Sequence, residues 1–130
     1  MRARLRSLLL LALDTDAETL RVGAEHETRC LHCRARLRLA DNGEPIGPAT
    51  LEHVIPSSWF GRRSAVMLTA QVAGPEDPRN LAIACRRCNH AKGARHDPHP
   101  SREASRLYVQ ALLDRRLARW QPLPDAADPP

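Results

Sequence analysis

The chain has 130 residues, which predicts a single domain. Hydrophobic residues make up 42% of it but aromatic residues only 3%, so the core should be small and aliphatic, the kind that a bound metal often helps to stabilise. A formal net charge of +5 favours polyanionic partners without identifying one, and no run approaches the roughly 18 apolar residues of a membrane span.

The N-terminal third begins with a predicted helix. Residues 2–13 mix basic with apolar side chains and predict a helix that ends near Asp14. They imitate a signal peptide, but no small-residue cleavage pattern follows. Residues 14–28 are polar without a clear period. The alternation over residues 36–39 predicts a short half-buried strand, and a turn should follow at residues 41–43.

The middle of the chain is harder to assign. Residues 50–55 are partly β-branched and predict a strand that the following proline ends. Residues 57–78 give a weak pattern, in which residues 64–72 fit either a short helix or a strand. Residues 74–78 contain two prolines and a glycine, and therefore predict a loop. Residues 80–84 are too few to classify by themselves.

Two helices are predicted towards the C-terminus. Residues 88–95 contain good helix formers, with Gly93 as the expected end. The second helix should begin after Ser101, a good N-cap, and run to about residue 121. Residues 122–130 should be disordered. Apolar residues at i, i+4, i+8 and i+11 form one face of the second helix, which predicts core packing: Val109, Leu113, Leu117 and Trp120.

Two Cys-x-x-Cys pairs predict a closed structural zinc site. Each pair places two sulfurs on one side of a metal, and two pairs complete a tetrahedral shell with no position left for water. A redox pair, buried thiols, or two disulfides in a secreted protein are the alternatives, although no βαβ unit supports a redox pair. Zinc would imply a reducing cytoplasm. The ligands would be Cys30, Cys33, Cys85 and Cys88.

Basic residues gather around both cysteine pairs. No acidic residue interrupts either group in the sequence, which favours contact with nucleic acid over a merely solvated surface. The first group comprises Arg29, Arg34, Arg36 and Arg38, and the second comprises Arg79, Arg86, Arg87, Lys92 and Arg95.

An acid and a histidine lie side by side between the cysteine pairs. Glu52 could supply an oxygen ligand for Mg²⁺ or Mn²⁺, and His53 could accept a proton from water near neutral pH. Neighbouring residues of a strand point to opposite faces, so a bend prompted by Pro56 would be needed to bring both to one site. Taken alone, the dipeptide is better explained as a surface acid and a satisfied histidine.

The motifs taken together resemble the zinc-clipped HNH endonucleases over residues 30–93. The matching stretches are Leu51-Glu52-His53-Val54-Ile55-Pro56, then Asn80-Leu81, then Cys85-x-x-Cys88-Asn89-x-x-Lys92-Gly93. The resemblance implies an α+β fold with a small ββα-metal core, stapled by the four-cysteine zinc site and flanked by N- and C-terminal helices. It divides the chain into residues 1–28 (helix and linker), 29–97 (nuclease core), 98–121 (helix) and 122–130 (tail).

The resemblance also implies metal-dependent hydrolysis of DNA phosphodiester bonds. His53 would be the general base, Glu52 and Asn89 would hold a catalytic Mg²⁺ or Mn²⁺, and Asn80 would brace the loop and orient the histidine. These four residues form the implied catalytic set. The alternative is a non-catalytic, zinc-dependent module that only binds nucleic acid. Contacts to DNA would come from Arg86, Arg87, Lys92 and Arg95.

Some residues depart from the family pattern. Glu52 stands where aspartate is commoner, and the neighbouring His90 competes with Asn89 for the role of helix ligand. Three histidines have no place in the pattern and are expected to be exposed: His32, His96 and His99. Burial is expected for Trp59 and Phe60, in preference to stacking on bases.

Overall fold

A computed structural model describes residues 2–95 and 99–124, without the side chains of residues 94 and 95. The fold is α+β, as predicted. Helix α1 (Ala3–Asp14) opens it and helix α4 (Glu103–Ala118) closes it, with two antiparallel sheets and two further helices, α2 (Val66–Thr69) and α3 (Arg86–Arg95), between them. Residues 96–98 and 125–130 lie outside the description, and with them His96 and most of the tail predicted to be disordered.

The larger sheet has four short strands that neighbour one another in chain order. The strands are β1 (Leu20–Val22), β2 (Glu25–Arg29), β3 (Arg36–Ala40) and β4 (Pro45–Ile46). Strand β3 alternates exposed and buried residues, which confirms its prediction. No sequence pattern indicated β2, because its buried positions carry the polar His26 and Thr28. Both β1 and β2 come from the predicted linker but share a sheet with β3.

The turn between β3 and β4 confirms another prediction. Gly43 has a φ of +89°, a conformation that L side chains rarely adopt. A Cβ at this position would lie 2.9 Å from the carbonyl oxygen of Arg6, so the turn packs closely against α1.

The smaller sheet consists of β5 (Ala49–His53) and β6 (Leu81–Cys85), paired so that Thr50 lies opposite Ala84. Strand β5 ends two residues earlier than predicted. The chain turns there because the backbone N–H groups of Val54 and Ile55 bond to the main-chain and side-chain oxygens of Asn80.

Helix α3 follows β6 directly, so β5, β6 and α3 form the expected ββα unit. The helix begins at Arg86 and continues through Gly93 to Arg95. The prediction that Gly93 ends the helix is therefore wrong. An interior glycine costs a helix only about 1 kcal/mol relative to alanine, which adjacent turns can offset.

The long connection between β5 and β6 is a series of tight turns. Short 3-10 turns at Ser57–Trp59 and Arg63–Ala65 lead into α2, so the predicted short helix in this stretch is present. Trp59 is fully buried, as predicted. Residues 74–78 form the predicted loop, which ends in a 3-10 turn at Pro78–Asn80.

Helix α4 packs part of its predicted apolar face against the core, because Leu117 is only partly buried and Trp120 lies beyond the end of the helix at Ala118. Val109 and Leu113 are buried, together with Leu112. The helix begins at Glu103 with Arg102 as its N-cap and no capping side chain, so Ser101 does not cap it. Buried Arg116 holds the helix in place by donating to the carbonyl oxygen of Leu81 at 2.6 Å and to Thr15 Oγ1 at 2.7 Å.

Candidate metal and nucleic-acid site

The four cysteine sulfurs lie within 4.8 Å of one another. Tetrahedral sulfurs about 2.3 Å from zinc are about 3.8 Å apart, and Cys33 Sγ lies 3.9 Å from Cys85 Sγ. The backbone N–H groups of His32 and Cys85 point at Cys30 Sγ, at 3.4 and 3.3 Å. Burial and the neighbouring sulfurs raise the pKa of the Cys88 thiol, an effect that a bound cation would oppose. The donor set fits Zn²⁺.

The cluster joins separate parts of the fold. Cys30 and Cys33 lie in the turn between β2 and β3, Cys85 is the last residue of β6, and Cys88 lies in the first turn of α3. A metal at this point would fasten the four-stranded sheet to the ββα unit. This explains why a long stretch of chain can fold between the two cysteine pairs.

His53 lies at the end of β5 and is half-buried. It lines a cavity of about 260 Å³ together with Asn89 and Gly93 of α3 and Pro56. Burial lowers the pKa of His53 below its usual 6.5; the charge of Lys92 acts in the same direction, while the carboxylates of Glu76 and Glu52 oppose it. A neutral imidazole at neutral pH can accept a proton.

Asn89 lines the same cavity. Its amide nitrogen donates to the carbonyl oxygen of Leu51 at 3.0 Å and to Thr50 Oγ1 at 3.2 Å. A carbonyl only accepts, so the nitrogen must face it, and the amide oxygen remains for a ligand. His90, the alternative helix ligand, is exposed and lines a neighbouring depression with Asn89 and Arg86.

Glu52 lies on the other face of β5. Its side chain is 1% exposed and does not line the cavity beside His53. One carboxylate oxygen lies 2.6 Å from His32 Nε2 and the other 2.8 Å from Lys92 Nζ. Burial opposes ionisation, but the bond to His32 and the charge of Lys92 outweigh it and lower the pKa of Glu52. The bend that was expected to bring Glu52 and His53 to one site is not present.

Lys92 points inward, whereas the sequence predicted that it would face DNA. Its side chain is 8% exposed. Its ammonium group donates to Glu52 at 2.8 Å and to the carbonyl oxygens of His53 and Val54 at 2.8 and 2.7 Å. All three protons are therefore used within the protein. The physical reason is that a buried carboxylate requires a counter-ion.

His32 was not identified from the sequence as a residue of this site. It was expected to be exposed, but its side chain is only 10% exposed and bonds to Glu52. Tyr108 of α4 reaches its other ring nitrogen at 3.3 Å. The one available signal was its position inside the first Cys-x-x-Cys turn, which fixes its backbone beside the cysteine cluster. Nothing in the sequence indicated its partners.

Asn80 is fully buried and lies away from the cavity. Its amide oxygen accepts from the backbone N–H of Ile55 at 2.7 Å, and its nitrogen donates to the carbonyl oxygens of Ile55 and Pro75 at 3.1 and 3.0 Å. Together with the bond from the Val54 N–H to the main-chain oxygen of Asn80, these bonds hold the two residues that follow His53. The role of Asn80 in orienting His53 stays a prediction.

The side chains of the two basic groups have different partners in the fold. In the first group, Arg34, Arg36 and Arg38 pair with Glu18, Glu27 and Glu25, at 2.8, 3.3 and 2.8 Å. In the second, Arg79 stacks on Trp120 with its guanidinium carbon 4.6 Å from the ring centroid, and Lys92 is buried. Arg86 and Arg87 are exposed on α3, and the side chain of Arg95 lies outside the described part of the chain.

The chain contains an antiparallel strand pair followed at once by a helix, with four clustered cysteines and with a histidine and an asparagine lining one cavity. These features define a ββα-metal type of domain. The family model for HNH endonuclease matches residues 30–95, about half of the chain. The chain belongs to the HNH endonuclease family, whose role is to cut or bind nucleic acid. No curated protein and no solved structure matches it. Within the described residues, every helix is too short or too polar to cross a membrane.

Proposed function

We propose that this chain is a metal-dependent HNH endonuclease that hydrolyses DNA phosphodiester bonds. One observation carries the proposal: within the family-matched segment, His53 of β5 and Asn89 of α3 line the same cavity. A proton acceptor and an amide side chain therefore line a space large enough for a phosphate group and water.

The residues present suit a catalytic Mg²⁺ or Mn²⁺. The amide oxygen of Asn89 is a hard donor, and Mg²⁺ needs few protein ligands because it keeps several waters and binds substrate phosphates. When bound, the ion supplies charge neutralisation for the phosphate and the leaving oxygen. Glu52 is proposed as the second ligand. Its carboxylate lies on the other face of β5, outside the cavity, and pairs with His32 and Lys92, so ion binding requires that the carboxylate leave these partners and turn towards Asn89.

His53 performs the proton transfer in this proposal. Its neutral imidazole takes a proton from the attacking water, the new oxygen–phosphorus bond forms, and the bond to the 3′ oxygen breaks. Asn80 holds the backbone beyond His53 and so orients the imidazole. Arg86 and Arg87 of α3, together with Arg95, contact the phosphate backbone, which positions the duplex and makes cutting weakly sequence-specific.

The cysteine cluster is proposed to hold one structural Zn²⁺, because four thiolates at tetrahedral spacing leave no open coordination position. Thiols that serve a metal need to stay reduced, which suggests a cytoplasmic protein.

A plasmid-nicking assay with and without Mg²⁺ or Mn²⁺ tests the function. The wild type should nick in the presence of the ion, and His53→Ala should lose on the order of 10²–10⁴-fold in rate while keeping its fold and DNA affinity. Raised Mg²⁺ should restore part of the activity of Asn89→Ala but none of that of His53→Ala. A His53→Ala protein that nicks as fast as the wild type would contradict the proposal.

A non-catalytic, zinc-dependent module that only binds nucleic acid is the second candidate. The observation in its favour is that the cation beside Glu52 is the ammonium group of Lys92, and none of the described residues that line the cavity carries a carboxylate. DNA binding by the wild type without nicking at any Mg²⁺ or Mn²⁺ concentration would establish this candidate instead.

A further inference from the structure

The cavity beside His53 belongs to a longer cleft that runs along β5. Leu51 and His53 lie on the same face of this strand. Leu51 borders depressions on both sides, one shared with Asn89 of α3 and another shared with Leu5 and Leu8 of α1. The exposed face of β5 is thus the floor of one cleft, α3 forms one wall, and α1 forms the other.

The wall formed by α1 has an apolar base and a basic rim. Leu5 and Leu8 face the floor, and Arg2 and Arg4 lie beside His53 at the end of the same depression. Both arginines are exposed. The family match begins at residue 30, so this wall lies outside the matched segment.

Positive charge therefore lines both sides of the cleft. Arg86 belongs to α3 and borders the depression beside Asn89, whereas Arg2 and Arg4 border the depression beside α1. Two acids are near: Glu44, at the far end, lies 4.0 Å from Arg6, and Glu76 pairs with Arg4. This last pair is open to solvent, with side chains 72% and 40% exposed. Exposed pairs are weak, and a phosphate can replace the carboxylate.

We propose that α1 forms the second wall of the DNA-binding cleft, with Arg2 and Arg4 holding backbone phosphates on the side of His53 opposite α3. This inference rests on the proposed DNA substrate and adds a binding surface to it. In the free protein Arg4 forms an ion pair with Glu76, and when DNA binds, a backbone phosphate replaces the Glu76 carboxylate. A duplex held from both walls presents its scissile phosphate to His53 at the cleft floor.

The first basic group offers a matched control. Arg36 and Arg38 are exposed like Arg2 and Arg4, and they pair with carboxylates as Arg4 does, but they lie on β3 and line none of these depressions. Arg36→Ala/Arg38→Ala removes the same charge as Arg2→Ala/Arg4→Ala. Any difference in DNA binding between the two double variants therefore depends on where the arginines lie and not on the net charge of the protein.

The experiment measures fluorescence anisotropy of a short labelled DNA duplex over a range of salt concentrations, in a His53→Ala background that prevents cutting. Each lost phosphate contact lowers the slope of log affinity against log salt by about 1, so Arg2→Ala/Arg4→Ala should lower it by about 2. The control should leave the slope unchanged. Arg4→Lys should keep it, and Glu76→Gln should tighten binding by removing the competing carboxylate.

Two results would overturn the inference: an unchanged slope in Arg2→Ala/Arg4→Ala, or an equal loss in Arg36→Ala/Arg38→Ala. Nicking by the wild type together with either result would leave the proposed nuclease standing and remove only the α1 wall. Absence of duplex binding by the parent protein even at low salt would overturn both proposals. Circular dichroism of each variant confirms that these surface substitutions leave the fold intact.

Discussion

His53 titrates under opposing influences whose sum favours the neutral ring. Burial lowers its pKa, and Glu76 raises it less strongly. A bound divalent ion would act in the same direction as burial. On the acid side, the midpoint of the fall in activity should therefore lie below pH 6.5, because the ring becomes protonated only there.

The acid limb of the pH–rate profile of nicking, where activity falls with falling pH, measures this pKa. Glu76→Gln removes the larger of the two carboxylate charges that raise the pKa of His53, so the acid limb should move to still lower pH. An acid limb above 6.5, or one that Glu76→Gln moves upward, would contradict the role of His53 as the base.

Lys92 should matter to stability more than to DNA binding. Lys92→Met leaves the buried carboxylate of Glu52 without its counter-ion, which typically costs about 3–5 kcal/mol of unfolding free energy. Urea denaturation measures the loss. Glu52→Gln/Lys92→Met should recover part of it, because the double variant leaves no unpaired charge. A Lys92→Met protein as stable as the wild type but weak in DNA binding would restore the prediction that this lysine faces DNA.

At the scale of elements, the cysteine cluster fastens the β2–β3 turn to β6 and α3. Elemental analysis of purified protein should find about one zinc per chain. A zinc chelator should cause cooperative loss of structure by circular dichroism, because metal binding and folding are coupled in a chain with a small core.

Zinc added back should restore the structure, whereas Mg²⁺ should not, because Mg²⁺ prefers oxygen ligands. A metal-free protein with two disulfides that keeps its fold in the chelator would refute the zinc site.

Helix α3 and strand β5 are also joined without metal. The three bonds from Lys92 attach the helix to the end of the strand, and the amide nitrogen of Asn89 attaches it to the strand's middle. His53 and Asn89 therefore belong to one rigid unit. Their relative position does not depend on a mobile loop, which favours a preformed site.

At the scale of the molecule, folding redistributes the charge that the sequence shows. The first basic group is free of acids along the chain, yet three of its arginines meet glutamates from β2 and from the segment after α1. The arginines of α1, to which no sequence motif assigned a function, lie beside the candidate site. The arginines available to bind a polyanion are therefore identified by their position around the cleft and not by their clustering in the sequence.

The sequence by itself determined the parts that depend on spacing and local pattern. Two Cys-x-x-Cys pairs predicted one four-sulfur cluster, because such a turn fixes its own geometry. The alternation of β3 and the apolar stripe of α4 predicted their elements and buried faces. The motif around His53 and Asn89 predicted the ββα unit that the structure contains.

The tertiary structure alone decided which side chains meet across the chain. Glu52 bonds to His32, twenty residues away, and to Lys92, forty residues away, and no local pattern records such partners. Strand β2 was not predicted for the same reason: its buried Thr28 bonds to Asp16 and to Arg119, the residue that follows α4. The physical reason is common to all of these cases: a buried polar group must find a partner, and which partner is in reach depends on how distant segments pack.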